Sequence, residues 1–389
     1  MANYIALALL VLPLLQVVVT AGEPNIQDYT KRFEKKESCD LYHGSWVYDK
    51  SYPLYDSSQC SFIEVSFACQ RNGRPDKLYL KYRWQPSACN LPRFGEISPN
   101  LVRSQPDLVE MSLDLARSRQ IRFDGIDFLK RLRNKKIMFI GDSLSLNQWQ
   151  SLLCMLHTAT PHSEYKSERI GPLSTFTFTE YNASVMLMRN AFLVDIEHKR
   201  YGRVLKLNKL GYEKTWDGID VLIFNTWHWW RHTGREQPWD FIQEGKHLQR
   251  DMDRLAAYEE ALKTWARWVD TNVDPEKTKV FFQGISPDHS NASNWGNHNG
   301  IECKGETKPI FAPAYPRHHP AELVVEKVLR TMLKPVHLLN VTRLSQQRKD
   351  AHPSIYGLGG HYGMDCSHWC LAGVPDTWNQ LLYAELISK

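Results

Sequence analysis

Short apolar runs recur along the second two-thirds of the chain, separated by stretches whose apolar positions fall at helical spacing. Residues 137–140 form an uninterrupted apolar run of the kind buried on both faces of a sheet. Gly141-Asp142-Ser143 follows directly, and Leu144, Trp149, Leu152, Leu153 and Leu156 then repeat at helical spacing. This pattern predicts a strand, a tight turn and a helix. Residues 185–188, 221–224, 280–283 and 336–339 predict four further strands, and residues 258–269 an amphipathic helix between two of them. Strands alternating with helices predict an α/β fold, a mostly parallel sheet with helices on both faces in three layers. In such sheets reactive groups gather at the carboxyl ends of the strands.

Ahead of this region the pattern is different. Residues 1–21 contain no Asp, Glu, Lys or Arg, and residues 5–19 are apolar except for Pro13 and Gln16. That run is short for a membrane span of about 20 residues, and Val19-Thr20-Ala21 offers the small residues a signal peptidase needs. The segment reads as a cleaved signal peptide, with an uncleaved anchor as the alternative, and either one sends the chain into the secretory pathway. Residues 22–37 are polar and without periodicity, and read as a linker. Residues 38–93 are rich in Tyr, Trp, Cys, Pro and Gly with only short apolar runs. They predict a small disulfide-stapled module packed on the α/β domain of residues 94–389 and unable to fold alone.

Composition narrows the function. With 389 residues, 42% hydrophobic and 23% charged, the chain is an ordinary globular one, which excludes disorder, collagen and a polytopic membrane protein. The net charge of +5 argues against nucleic acid as a partner, because that would need a clustered basic face. Thirteen tryptophans supply flat rings for a core or for stacking on sugars. Eight cysteines, Cys39, Cys60, Cys69, Cys89, Cys154, Cys303, Cys366 and Cys370, predict up to four disulfides in an oxidising lumen, with roughly a hundred pairings open. A zinc site at Cys366, His368 and Cys370 would lack a second closely spaced ligand pair, and no metal is expected. Sequons at Asn182, Asn291 and Asn340 suit glycosylation in the same compartment.

The candidate chemistry sits at the predicted strand ends. Ser143, at a strand-to-helix turn, has free helix-start amides beside it that could hold an oxyanion; a helix N-cap is the structural alternative. Near the other end of the chain, Asp365 and His368 are three apart and would share a face of one helical turn, the carboxylate supporting an imidazole that activates Ser143. Bridges at Cys366 and Cys370 would pin that turn. Asn225 follows the strand 221–224 and is placed to share the oxyanion with the Ser143 backbone N–H. Trp227, His228, Trp229 and Trp230 come next, and at least some of these rings should line a sugar-binding cleft.

Longer motifs accompany these residues. Cys39-Asp40-Leu41-Tyr42, Gly44-Ser45-Trp46-Val47-Tyr48-Asp49, Tyr52-Pro53-Leu54-Tyr55, Asn72-Gly73-Arg74-Pro75-Asp76, Arg83-Trp84-Gln85-Pro86 and Leu91-Pro92-Arg93-Phe94 resemble the N-terminal domain of plant trichome birefringence-like proteins. Gly141-Asp142-Ser143 and Asp365-Cys366-Ser367-His368 resemble the two signature motifs of that family, whose larger domain is of the GDSL/SGNH-like acyl-esterase group. The resemblance implies an SGNH-like three-layer fold and a polysaccharide O-acetyltransferase of the Golgi or the cell wall. Its partners would be wall polysaccharides (pectin, xylan, mannan or xyloglucan), with membrane contact only through an N-terminal anchor. It implies no bound cofactor but an acetyl donor, acetyl-CoA or another carrier. By position, Ser143 would be the acetylated nucleophile, His368 the base and Asp365 its orienting partner. Leu146 stands where many xylan-acetylating members carry Arg. An acetylesterase using the same groups and a non-catalytic wall-binding protein are the alternatives.

Overall fold

The apolar run at residues 137–140 lies in the middle of the largest sheet of the computed structural model, which describes residues 40–87, 123–311, 318–357 and 364–387. In chain order the strands are β1 (Gly44–Tyr48), β2 (Tyr82–Pro86), β3 (Lys136–Gly141), β4 (Tyr165–Ile170), β5 (Leu173–Phe178), β6 (Ala183–Arg189), β7 (Val194–Lys199), β8 (Gly202–Leu210), β9 (Val221–Phe224), β10 (Phe241–Glu244), β11 (His247–Gln249), β12 (Lys279–Gln283) and β13 (His337–Leu339). The helices are α1 (Gly125–Arg131), α2 (Ser143–Ala159), α3 (Arg254–Asn272), α4 (Pro320–Leu329), α5 (Thr342–Gln346) and α6 (Val374–Ile387).

The seven-stranded sheet has the order β13-β12-β9-β3-β6-β5-β4, with β13, β12, β9, β3 and β6 parallel and β5 and β4 added antiparallel at one edge. All five strands read from the sequence lie in the parallel part. After β3 the chain builds β6 on one side and then crosses to build β9, β12 and β13 on the other, so the strand order reverses between β3 and β9. That reversal opens a crevice at the carboxyl ends of these two strands. Alternate side chains of β3 feed opposite cores. Ile137 and Phe139 join the core containing residues of α2 and α6, whereas Met138 and Ile140 join the core containing residues of α3 and α4. Sheet and two helical layers make the expected three-layer α/β arrangement.

A second sheet, β11-β10-β8-β7, has no counterpart in the sequence reading. It lies against α3, where Thr264 Oγ1 donates to Leu207 O at 2.7 Å.

The N-terminal module is built on the antiparallel pair β1 and β2, in which Trp46 stands opposite Trp84. Its core is continuous with that of the larger domain, since Tyr55, Phe67 and Trp84 share one apolar cluster with Leu152 and Trp378. The Trp46 indole N–H donates to Leu344 O at 2.8 Å. Beneath it, the buried Arg348 guanidinium pairs with Asp350 at 2.9 Å and lies 4.3 Å from the Trp46 ring centroid.

Among the described residues two disulfides join distant parts of the chain, Cys69–Cys370 and Cys303–Cys366. Cys60 and Cys154 correct the expectation of full pairing, for both are buried free thiols. They face each other across the junction of module and α2, where burial first and then the neighbouring Cys60 push the Cys154 thiol far above its ordinary pKa. This disfavours the thiolate that disulfide exchange requires. Cys39 and Cys89, the N-terminal targeting segment, the linker and Leu91-Pro92-Arg93-Phe94 lie outside the described residues. Among the described residues no helix is long and apolar enough to cross a membrane.

Candidate active site

Gly141 ends β3 at a point where only glycine fits. A Cβ there would sit 2.2 Å from Asn225 O and 2.5 Å from Ser145 Oγ, because the exit of β9 passes directly over it. The next residue, Asp142, is the N-cap of α2, its Oδ1 accepting the Leu144 N–H at 2.9 Å. The capping role that Ser143 could have filled is therefore taken by its neighbour. Ser143 is the first residue of the helix and half-buried, while the rest of residues 141–150 is buried. Its backbone N–H is one of the unpaired donors that begin a 17-residue helix, at the positive end of the helix dipole.

His368 reaches this serine from the loop between α5 and α6. Its Nε2 lies 2.7 Å from Ser143 Oγ, and its Nδ1 lies 2.9 Å from Asp365 Oδ2. Because a carboxylate only accepts, Nδ1 carries the ring proton and Nε2 presents a lone pair to the serine hydroxyl. Burial opposes the charge of Asp365. The ring N–H of His368, helped by the backbone N–H groups of His368 and Ser367, outweighs it and holds this carboxyl well below the usual carboxylate range.

The expectation of a helical turn from Asp365 to His368 is corrected. The segment is a loop in which Asp365 Oδ1 accepts from Ser367 N at 3.1 Å and His368 N at 3.0 Å, an Asx-type turn closed by the same side chain that orients the imidazole. Backbone hydrogen bonds between Ser354 and Asp365 in both directions fix its base. Cys366 and Cys370 do pin the turn, but to separate partners, Cys303 and Cys69. The second bridge makes the N-terminal module part of the site, and Phe67 from that module packs on the His368 ring with centroids 5.4 Å apart.

Asn225 is buried at the end of β9, with Nδ2 turned to Asp142 Oδ1 at 3.4 Å. The aromatic run after it divides. Residues His228–Arg231 form a 3₁₀ turn, in which side chains three apart lie on the same side. Trp227 and Trp230 consequently point into the core, against Tyr258, which corrects their assignment to a sugar cleft. Trp230 is fully buried, its indole N–H donating to Thr226 Oγ1 at 2.9 Å. Trp229 is 38% exposed and rests on His232. His228 is half-buried and holds Ser286 O at 2.8 Å through Nε2, which as the partner of a carbonyl carries the proton. Burial, the largest influence, pushes this imidazole below its ordinary pKa.

Two further residues organise the site and were not singled out from the sequence. Asn147, one turn after Ser143 in α2, donates Nδ2 to Trp369 O at 3.1 Å and accepts the Trp369 N–H on Oδ1 at 2.8 Å. Ser286 accepts the Trp369 indole N–H at 2.9 Å. An asparagine inside an otherwise buried helix is a signal the sequence does contain, since a buried amide requires partners. No group of three or more metal-ligating side chains occurs among the described residues, and both cysteines beside His368 are bridged.

Residues 121–385 match the profile of the GDSL/SGNH-like acyl-esterase family found in Pmr5 and Cas1p, and residues 37–90 that of the Pmr5 N-terminal domain. The trichome birefringence-like 43 protein of Arabidopsis thaliana is 55% identical over 355 residues, 90% of this chain and 89% of the relative. The trichome birefringence-like 41 protein of the same plant is 50% identical over 356 residues, covering 91% and 92%. More distantly, the trichome birefringence-like 6 protein is 37% identical over 385 residues, covering 94% of this chain and 74% of the relative. This chain belongs to the trichome birefringence-like family, a Pmr5 N-terminal domain followed by an acyl-esterase domain of the GDSL/SGNH-like type.

Proposed function

We propose that this protein is a polysaccharide O-acetyltransferase that works through an acetyl-serine on Ser143, with His368 as base and Asp365 orienting it. The observation that carries the reading is the 2.7 Å approach of His368 Nε2 to Ser143 Oγ, with the imidazole held in the required tautomer by Asp365. In the first half-reaction the Ser143 hydroxyl gives its proton to His368 Nε2 as Oγ attacks the carbonyl carbon of an acetyl ester or thioester. The tetrahedral oxyanion rests on the Ser143 backbone N–H, with Asn225 as second donor once its amide turns from Asp142. Collapse breaks the bond to the donor's leaving group, which takes the proton from His368. A sugar hydroxyl then gives its proton to His368 and attacks the acetyl carbon, and the bond to Ser143 Oγ breaks as Oγ takes that proton from His368.

The acceptor is a plant cell-wall glycan, bound with the help of the exposed Trp229 face, and the enzyme acts in the Golgi or the wall. The bridges at Cys366 and Cys370 suit an oxidising lumen. A hydrolase would use the same groups with water as acceptor. The test is to expose the protein to an acetyl donor and measure its intact mass. One acetyl on Ser143, discharged by a deacetylated wall glycan with transfer to the sugar, supports the transferase. Acetate released from acetylated pectin without transfer makes it an esterase. No acetyl on Ser143 and no turnover with either substrate overturns both and leaves a wall-binding protein.

A further inference from the structure

Behind the loop that presents His368 lie two imidazoles that the acyl chemistry does not use. His289, on the chain after β12, and His352, after the turn Lys349–Ala351, are each 1% exposed. Their rings meet directly, His289 Nδ1 lying 2.6 Å from His352 Nε2. Each outer nitrogen faces a main-chain carbonyl: His289 Nε2 is 2.9 Å from Gln346 O, and His352 Nδ1 is 2.5 Å from His368 O.

Counting protons gives this chain its meaning. Carbonyl oxygens only accept, so both outer nitrogens must carry hydrogen, and the contact between the inner nitrogens needs a third. Two neutral imidazoles supply two. All three hydrogen bonds together therefore require one extra proton, and the pair then carries a single positive charge. With neutral rings, one of these short contacts would bring lone pair against lone pair.

The surroundings contain both signs of influence. The Trp369 indole stacks on His352 with centroids 4.1 Å apart, and Trp295 packs on His289 at 5.6 Å, aromatic neighbours that favour a cation. Asp350 and Glu306 near His289, and Asp365 near His352, favour the charge, whereas Lys349 near His289 and His368 near His352 oppose it. Arg74, from the N-terminal module, reaches the same pocket through His352 O at 2.8 Å and Asp350 O at 2.6 Å. Burial is the largest influence and presses both rings towards neutrality, taking His289 down to about 4.

We propose that His289 and His352 share one extra proton and serve as positioning residues for His368. With the proton present, His352 donates to the His368 carbonyl and holds the loop that aims Nε2 at Ser143. When it leaves, one of the three bonds must break; in this proposal the bond to the His368 carbonyl is the one lost, so that the loop slackens. The functional half of this inference rests on the Ser143–His368 reading; the shared proton does not.

The test uses the full chain with 15N-labelled histidine and 13C-labelled carbonyls, followed by NMR from about pH 4 to about 8, the range in which imidazoles titrate. The expected result is that His289 and His352 take up one proton between them in a single coupled step. A hydrogen-bond coupling from His352 Nδ1 to the His368 carbonyl carbon should be present below that step and lost above it. If both rings keep one proton each throughout, or the coupling is indifferent to the step, the inference is overturned, whether or not the protein turns over substrate. The second measurement is His289→Gln, whose amide can donate to His352 Nε2 and let a neutral His352 keep Nδ1–H on the carbonyl. The variant should lose the pH step in kcat, about tenfold or more in the wild type, with KM unchanged. A kcat profile superimposing on the wild type would refute the positioning role.

Discussion

Asn147 holds Trp369 by both of its main-chain polar groups, and so fixes the distance between the helix that begins with Ser143 and the loop that ends at His368. Asn147→Ala should lower kcat by about a hundredfold, the usual effect of an ångström-scale misplacement, with little change in KM. It should also cost about 2 to 4 kcal/mol of stability, because two buried main-chain groups lose their partners. Steady-state kinetics and thermal unfolding check both. An unchanged kcat would show that the serine and histidine find each other without this link.

The carboxylate that orients His368 allows a sharper test than removing the nucleophile. Asp365→Asn retains the shape but offers an amide where Nδ1–H needs an acceptor, and kcat should fall on the order of 10⁴-fold, as loss of the correct tautomer does elsewhere. Ser143→Ala should abolish turnover while glycan binding, followed by calorimetry, stays within about twofold of the wild type. Turnover close to the wild-type rate in both variants would move the chemistry away from this site.

Trp229 and Trp230 are neighbours in sequence with opposite consequences. Trp230→Ala empties a fully buried site and should cost about 3 to 5 kcal/mol of stability. Trp229→Ala should leave the melting temperature within about 2 °C and raise KM for the glycan several-fold. Equal effects of the two on melting would contradict the division made by the 3₁₀ turn.

Asp376 gives the protein a pH-dependent weakness. Its carboxylate is buried between Tyr55, Ser151 and the Gly373 N–H, and burial raises its pKa from 3.8 to about 6 despite those donors. A carboxyl raised in the folded state binds its proton more tightly there than in the unfolded chain. Its contribution is therefore complete below about pH 4 and is lost as pH rises through about 6, up to about 3 kcal/mol in all. Melting temperature measured against pH for the wild type and Asp376→Asn should diverge across that window, the wild type losing ground as pH rises. Parallel curves would show that this carboxyl has an ordinary pKa.

The bridges beside His368 should make activity sensitive to reductant. Cys69→Ser and Cys303→Ser should each lower stability by about 2 to 5 kcal/mol and depress kcat. Full activity after complete reduction, confirmed by counting free thiols, would show that the Asx-type turn holds unaided.

The parallel strands were legible because strands buried on both faces read as plain apolar runs, and the reversal of strand order placed Ser143 where that architecture puts reactive groups. The sheet of β7, β8, β10 and β11 was not legible. Its strands β7 and β8 interleave charged residues such as Asp195, Glu197, Lys206 and Lys209, whose apolar partners make sense only once α3 covers them. The Asp365–His368 spacing fitted a helix, but Asp365 offered its own backbone a competing hydrogen bond and the turn closed that way. The tryptophan run was read without the three-residue period that sends two of its members inward. Asp376, His289 and His352 owe their roles mainly to partners far away in sequence, which no local pattern carries.

The Cys69–Cys370 bridge spans 301 residues. A ribosome adding about 5 to 20 residues per second presents the first of these thiols roughly 15 to 60 s before the second exists. Throughout that interval Cys69 can pair only with the wrong sulfur or wait reduced. The covalent closure of the pocket around the base is thus a post-translational event, which needs a two-electron oxidant to act on the completed chain.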